Sequence, residues 1–430
     1  MRSLCSLVTL LTCATAAAAQ DPFNGTWHGY WSRAGDTMPV TMIVRRDSAS
    51  GRYAASFSTD RLRVAGIPFT EVEVRGCCDV SLMLRGDRTT AYFSGRLSGD
   101  SLTGDLLEEG SRGVFAFFRA AAGAPSIEER EITFTNGDVT LAGSLLLPAA
   151  GGTRGPVAAI VFLHGSGAEG RWASRFLAMQ AATQGMAALV FDKRGVGRST
   201  GDWRGAAPDD LVGDGVAAVA WLRRQPGIAP GRVGIHGHSQ GGTLAPLVAA
   251  RSGSVAFVVA SAAAGVPLDS VELFSVLNAV LPRARTAADS AGARAYVSEL
   301  VAVGYHGGAR HRLDSLVAAL GDRPWFFEPP APTDSYWSFS KTFGQIRPLD
   351  WWPWIRVPVL LVYGAEDRRV PAAESARWIA EALRRAGNSD VTVRIFPGAD
   401  HSFRLPPTAS GWPVTAPGYV SALREWLAKR

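Results

Sequence analysis

Hydrophobic and polar positions keep one rhythm up to about residue 122 and another after it. From Thr26 to Ala120, short stretches alternate apolar and polar residues, as in Met38 to Val44, Arg52 to Phe57, Val80 to Leu84, Thr90 to Gly95 and Val114 to Phe118. Turn signals separate them: Ser50-Gly51, Arg85-Gly86-Asp87, Ser98-Gly99-Asp100 and Glu109-Gly110. A period of two puts successive side chains on opposite faces of a strand. Short strands with regular turns predict a small antiparallel all-β domain, a sandwich or small barrel, over residues 20–122. Gly25-Thr-Trp-His-Gly fits its first strand, and the stretch from Ala120 to Pro125, rich in Ala, Gly and Pro, predicts a linker.

After Ser126 the rhythm becomes strand, turn, helix. Asn136-Gly137 between the apolar runs Glu131 to Thr135 and Val139 to Leu147 predicts a hairpin. Val157 to Leu163 is unbroken apolar, as a strand buried on both faces should be. Helices are predicted over 171–184, 209–224, 243–250, 372–386 and 420–428. Strands are predicted over 187–191, 232–236, 256–260, 357–363 and 391–396. Alternation of this kind implies an α/β architecture over 126–430, a mostly parallel sheet with helices on both faces. Residues 265–350 interrupt it with helical stretches, 291–303 and 312–320, and five of the 13 Trp residues fall between Trp325 and Trp354. A helical, aromatic-rich insertion after a core strand reads either as a cap over a pocket or as an insertion glued down by its aromatics.

Composition narrows the class. The 430 residues are 47% hydrophobic and 19% charged, which is globular rather than disordered. The net charge of +6 comes from scattered Arg residues, without the clustering that a nucleic-acid footprint requires. Arg2, an apolar run from Leu4 to Leu11 and Ala16 to Ala19 form the pattern of a signal peptide over residues 1–19, too short to span a membrane. Its removal leaves 43 basic against 38 acidic residues, +5, and implies an exported protein, periplasmic or secreted, with no integral membrane segment. Acylation at Cys13 is disfavoured because Leu10-Leu11-Thr12 lacks the small residue expected before it. Cys77 and Cys78 then remain, read first as two free thiols on a strand, since a disulfide wants its α-carbons further apart than neighbours sit, with a strained vicinal disulfide in an oxidising compartment as the alternative. CxxC and His-x-x-x-His spacings are absent, so neither a metal nor a cofactor is expected.

The candidate chemistry lies in the turns of the parallel sheet. Gly237-His238-Ser239-Gln240-Gly241 falls between a strand and a helix, the setting in which a Gly-x-Ser-x-Gly elbow lifts a nucleophilic serine above the sheet. A hydroxyl needs a base, and the base needs an orienting acid. The strand 357–363 runs into Gly364-Ala-Glu-Asp-Arg-Arg-Val-Pro, which offers Glu366 and Asp367. Asp367 is preferred because it stands just before the descent into Val370-Pro371. The strand 391–396 runs into Pro397-Gly-Ala-Asp-His-Ser-Phe, which offers His401, with Asp400 read as a turn residue. The expected catalytic set is therefore Ser239, Asp367 and His401. Backbone N–H groups of Gln240 and of Ser166, in His164-Gly-Ser-Gly, would form the oxyanion hole. His164 reads as a brace, His236 and His238 as packing or hydrogen-bonding neighbours of the elbow, and His28, His306 and His311 as ordinary residues.

Four pieces, His164-Gly-Ser-Gly, Asp192-Lys-Arg-Gly-Val-Gly-Arg-Ser, Gly237-His-Ser-Gln-Gly and the Asp367 and His401 turns, resemble the α/β-hydrolase superfamily. Within it the chain looks like bacterial serine esterases and their thioesterase, dienelactone hydrolase and serine aminopeptidase relatives. The resemblance spans roughly 126–430 and implies an α/β-hydrolase fold with a helical cap. It further implies that residues 192–199 shape the loop beside the oxyanion hole, and that the substrate is a small ester or a peptide-like molecule. An exported carboxylesterase is the leading expectation. An aminopeptidase would need cap acids for a free ammonium, from Glu299, Asp314 or Glu328, and a thioesterase is less natural outside the cytoplasm. Dehalogenation is set aside because it uses Asp where Ser239 stands, and a non-enzymatic binder conflicts with the complete triad.

Overall fold

The protein is described by a computed structural model that covers residues 21–86, 89–121, 127–149 and 155–430. The expected signal peptide, Cys5 and Cys13, and residues 122–125 of the expected linker lie outside the described residues. Internal contacts divide the chain into two units. Among the described residues, one is formed by those up to Ser58 with Gly66–Ala121, the other by Thr59–Ala65 with those from 127 on. Strand rhythm runs on through residue 64, so alternation gives no sign that 59–65 cluster with the second unit.

The first unit is built from β1 (Gly25–Arg33), β2 (Asp36–Arg46), β3 (Tyr53–Thr59), β4 (Val64–Pro68), β5 (Glu71–Arg75), β6 (Asp79–Arg85), β7 (Thr90–Ser98), β8 (Ser101–Glu108) and β9 (Ser111–Arg119). They form one antiparallel sheet in the order β4-β3-β2-β1-β9-β8-β7-β6-β5. The two edge strands, β4 and β5, are joined by Phe69 and Thr70 alone, so the sheet has to curl until its edges approach. A single curled sheet, a half-barrel, therefore stands where a two-layer sandwich was the alternative. One face of it buries most of the apolar residues, while Tyr92, Leu107, Val114 and Phe118 stay exposed. Trp31 packs against Phe57 at 4.8 Å and Phe93 at 4.9 Å between ring centroids, and Trp27, Met38, Met42, Phe115 and Phe117 are buried with them. Cys77 and Cys78 lie in the turn between β5 and β6 and are joined as a vicinal disulfide, with α-carbons 3.8 Å apart. The free-thiol reading is corrected: the pair lies in a turn rather than on a strand, and the vicinal disulfide that stood as the alternative is the one present.

The second unit has the α/β-hydrolase fold. Its strands are β10 (Glu128–Asn136), β11 (Val139–Leu147), β12 (Val157–Leu163), β13 (Ala187–Phe191), β14 (Ile228–His238), β15 (Val258–Ser261), β16 (Val359–Gly364) and β17 (Val391–Phe396). They pair in the order β10-β11-β13-β12-β14-β15-β16-β17, with β10 and β11 the antiparallel hairpin at one edge and the rest parallel. The helices are α1 (Trp172–Thr183), α2 (Pro208–Arg223), α3 (Gln240–Ser252), α4 (Leu268–Val280), α5 (Ala287–His306), α6 (Arg310–Leu320), α7 (Ser335–Phe343), α8 (Ala372–Arg385) and α9 (Tyr419–Leu427).

Strand β12 explains the layering. Ala159, Val161 and Leu163 face one core with α2, α3 and α8, while Ala158, Ile160 and Phe162 face the other with α1 and α9. A strand that feeds two cores has no polar face to show, which is why its sequence reads as a continuous apolar run. Between β15 and β16 the chain is helical, from α4 to α7. Much of that insertion gathers on a third core around Tyr296, Leu300, Leu313 and Trp325. Helix α3 starts at Gln240, three residues before the pattern predicts, because Gly241-Gly242 carries no apolar stripe to announce it.

Candidate active site

Ser239 sits between the end of β14 and the start of α3 with φ 56° and ψ −116°, a backbone conformation that side-chain-bearing residues rarely adopt. Two glycines make the turn fit. A Cβ on Gly237 would lie 2.1 Å from the Gly241 carbonyl oxygen, and one on Gly241 would lie 2.6 Å from that of His164. The Ser239 amide donates to the Ser261 carbonyl at 2.8 Å, which ties the elbow to β15.

The structure brings Ser239, His401 and Asp367 together. Nε2 of His401 is 3.0 Å from Ser239 Oγ, and its Nδ1 is 2.7 Å from Asp367 Oδ2. Asp367 Oδ1 accepts from the Arg369 and Val370 amides at 2.7 and 2.9 Å, and the Asp367 side chain is fully buried. Glu366 is exposed and takes no part in this chain of contacts. Asp400 accepts from the Ser402 and Arg404 amides, each at 2.8 Å, and so closes its own turn. An imidazole held at Nδ1 by a carboxylate carries its proton there and keeps Nε2 free to accept one from the hydroxyl.

The neighbouring histidines are braces. His164 contacts the Phe191 carbonyl through Nε2 at 2.5 Å, His236 contacts Ser261 Oγ at 3.1 Å, and His238 contacts the His401 carbonyl at 3.0 Å. Burial pushes their imidazoles down, to about 4, about 3 and about 4 respectively, so all three are neutral at pH 7. His28 lies 3.1 Å from Thr41 Oγ1, and His306 pairs with Asp269 at 3.0 Å on the surface.

Ser166 and Gln240 both line a cavity of about 130 Å³ that opens on Ser239. Gln240 is the first residue of α3, where an amide has no partner within the helix. The loop carrying Ser166 is held from two sides. Glu169 Oε2 accepts the Gly165 amide at 2.6 Å, and Lys193 Nζ donates to the Gly165 carbonyl at 2.6 Å, the Gly167 carbonyl at 2.9 Å and Gln240 Oε1 at 3.1 Å. The adjoining residues anchor the segment 192–199. Asp192 receives Arg171 through Nε at 3.1 Å and a terminal nitrogen at 2.9 Å, and Arg194 grips Asp214 at 2.7 and 2.8 Å. Burial pushes the Asp192 carboxyl up, but hydrogen bonds from Arg171 overcome it and hold the group below its ordinary value.

The rest of the cavity wall is apolar: Leu244, Leu268, Val271, Phe339, Phe343 and Ile346 among others, with Tyr305. None of the tryptophans of the insertion lines it; Trp325 and Trp352 are buried in packing, while Trp354 is exposed. One carboxyl group does line it, Glu272 of α4, hydrogen-bonded by the Tyr336 hydroxyl at 3.2 Å and raised above its ordinary value by burial. Glu299, Asp314 and Glu328 are not among the lining residues. Glu272 and Lys193 escape a reading of the sequence because neither belongs to a motif with chemistry of its own. Lys193 lies inside the Asp192 segment, and burial in an apparently polar loop is the signal a sequence does not carry. Among the described residues no group of three or more His, Cys, Asp or Glu is placed to hold a metal, and no helix is long and apolar enough to cross a membrane.

A nucleophile elbow, a later acid and a histidine at the ends of three strands of one parallel sheet, in that chain order, define an α/β hydrolase. The family model described as "Serine aminopeptidase, S33" (Hydrolase_4) matches residues 154–405, and the chain belongs to that family of hydrolases. The fold is similar to that of an esterase from Pyrococcus furiosus, PF2001, at 19% identity over 72% of this chain and 92% of that one, with a TM-score of 0.46. It is also similar to Est1E from Butyrivibrio proteoclasticus with bound ferulic acid, at 15% identity over 69% and 96%, TM-score 0.44. A hypothetical protein from Pseudomonas aeruginosa shares 24% identity over 66% and 89%, TM-score 0.42. A comparison with curated proteins finds no match.

Proposed function

We propose that the protein is an exported serine hydrolase that cleaves small carboxylic esters through an acyl-enzyme. One observation carries the reading: a hydroxyl, an imidazole and a buried carboxylate in line, at 3.0 and 2.7 Å, at the mouth of a largely apolar cavity. Ser239 Oγ attacks the ester carbonyl as His401 Nε2 takes its proton, and the carbonyl oxygen becomes an oxyanion facing the Ser166 and Gln240 amides. His401 then gives the proton to the departing alcohol. Water, deprotonated by the same nitrogen, attacks the acyl-serine and releases the acid. The apolar wall suits an acyl chain, which gains from leaving water.

A second reading, release of an aminoacyl group from an amide, is favoured by Glu272 and by the family's description. Its carboxyl is the one acidic group among the residues that line the cavity, and it would pair with the ammonium of an aminoacyl substrate there. Export rests on the N-terminal pattern alone, and sequencing of the mature N-terminus should find Gln20 first.

The central test is labelling with a fluorophosphonate, followed by turnover of p-nitrophenyl acetate, p-nitrophenyl butyrate and aminoacyl-anilides. Wild type should label and hydrolyse the esters. Ser239→Ala should do neither while keeping its melting temperature. Ester turnover surviving in Ser239→Ala would sink the reading.

A further inference from the structure

Lys193 is a buried lysine without a carboxylate partner in contact. Its ammonium spends its three protons on the Gly165 carbonyl, the Gly167 carbonyl and the Gln240 side-chain oxygen. These acceptors belong to the two pieces of chain that supply the candidate oxyanion hole. The Gly165 carbonyl and the Ser166 N–H are moreover the two ends of one peptide group, planar and pointing in opposite directions. A cation on the carbonyl fixes that plane and draws electron density from the N–H, which makes it a stronger donor on the far side. Helix α3 delivers the second N–H, and the bond to Gln240 Oε1 ties its first residue to the same ammonium.

We propose that Lys193 is a positioning residue of the oxyanion hole, a clamp that aims and polarises the Ser166 amide and holds it in register with that of Gln240. The inference rests on the serine-hydrolase reading, since it concerns how that site stabilises charge. A lysine that served packing alone would bury its stem and leave its ammonium in water. This one is brought inside at the cost of its hydration, to bond carbonyls of the loop in question.

The electrical surroundings set a pH range for the clamp. Burial lowers the Lys193 ammonium to about 8, partly offset by the Glu169 carboxylate. The other groups facing it are neutral or engaged. His164 is held neutral, Asp214 is taken by Arg194, Asp192 by Arg171, and the Trp203 ring lies 5.8 Å away. Deprotonation removes one of three donors from three acceptors, so the clamp should loosen as pH rises through about 8.

The test uses the full chain and its activity on p-nitrophenyl butyrate from pH 6 to 10, with rates expressed per fluorophosphonate-labelled site. Lys193→Met should lower kcat about 10- to 100-fold, less than loss of a direct oxyanion donor because the N–H itself remains, while KM moves less than about threefold. Wild-type kcat should fall above about pH 8. Lys193→Arg keeps a charge that does not titrate in this range; it should retain kcat within about tenfold and lose the alkaline fall. A mere structural brace would lower the labelled fraction and the melting temperature without moving that limb. The proposal is overturned by a Lys193→Met kcat within about threefold of wild type, by a wild-type profile flat to pH 10, or by a limb unchanged in Lys193→Arg. Should Lys193→Met fail to fold, the comparison of wild type with Lys193→Arg decides. Wild type that neither labels nor hydrolyses esters would fail the hydrolase reading itself, a distinct result that takes the clamp with it.

Discussion

Asp367 Oδ2 lies 2.7 Å from Nδ1 of His401, and the partner oxygen of the same carboxylate is held by two backbone amides. The acid is thus immobilised by its own turn before it meets the imidazole, so it fixes the ring rather than following it. Asp367→Asn should therefore lower kcat on p-nitrophenyl butyrate by about 10⁴, because the amide favours the wrong tautomer of His401. Glu366→Gln should change it less than about threefold. The opposite ranking in steady-state assays would transfer the role to Glu366.

His238, the residue just before Ser239 in the elbow, bonds the carbonyl of His401 at 3.0 Å. Replacing it with Phe keeps an aromatic ring but strands that carbonyl, a loss of about 1–3 kcal/mol if the oxygen stays buried. We expect kcat to fall about tenfold with KM nearly unchanged, since the His401 turn loosens while the cavity stays intact. A variant whose loss falls on KM alone would place His238 in substrate binding instead.

Three buried imidazoles make the second unit acid-sensitive. His164, His236 and His238 bind protons only near pH 4, 3 and 4 when folded, against an ordinary 6.5. As pH falls below 6.5 the unfolded chain takes up protons the folded chain refuses, so stability is lost from pH 6.5 downward. Each unit of that window removes up to about 1.4 kcal/mol per histidine. Urea midpoints measured at pH 7, 6 and 5 should fall steadily, and a midpoint constant over that range would contradict buried neutral rings.

Glu272 separates ester from aminoacyl chemistry. Glu272→Gln keeps the shape and the Tyr336 contact but removes the negative charge. Hydrolysis of p-nitrophenyl butyrate should stay within about threefold of wild type. Any turnover of aminoacyl-anilides should drop by about tenfold or more in kcat/KM, the cost of leaving an ammonium unpaired. Equal losses on both substrates would give Glu272 a structural part only.

Much of the site was legible because each piece sits where a predicted strand ends: Ser239 after β14, Asp367 after β16, His401 after β17. The turns could be read since glycine, proline and chemistry-bearing residues crowd into them. Burial supplies what spelling does not, as when it sets Asp367 inside and Glu366 outside. Helix α4 was missed because Leu268–Val280 is apolar on several sides and shows no stripe, and Glu272 was missed with it. Alternation in the first unit reports which way side chains point but not whether a sheet closes. The choice between sandwich and barrel therefore waited on the two-residue link between β4 and β5. Lys193 could be located but not understood, because its three acceptors lie 26 or more positions away along the chain.

The helical insertion keeps a hydrophobic interior of its own, around Tyr296 and Trp325, apart from the two that flank the sheet. None of the buried residues of that interior lines the cavity, so substitutions there act on the cavity wall only through the helices α4, α5 and α7 that carry Val271, Tyr305 and Phe339.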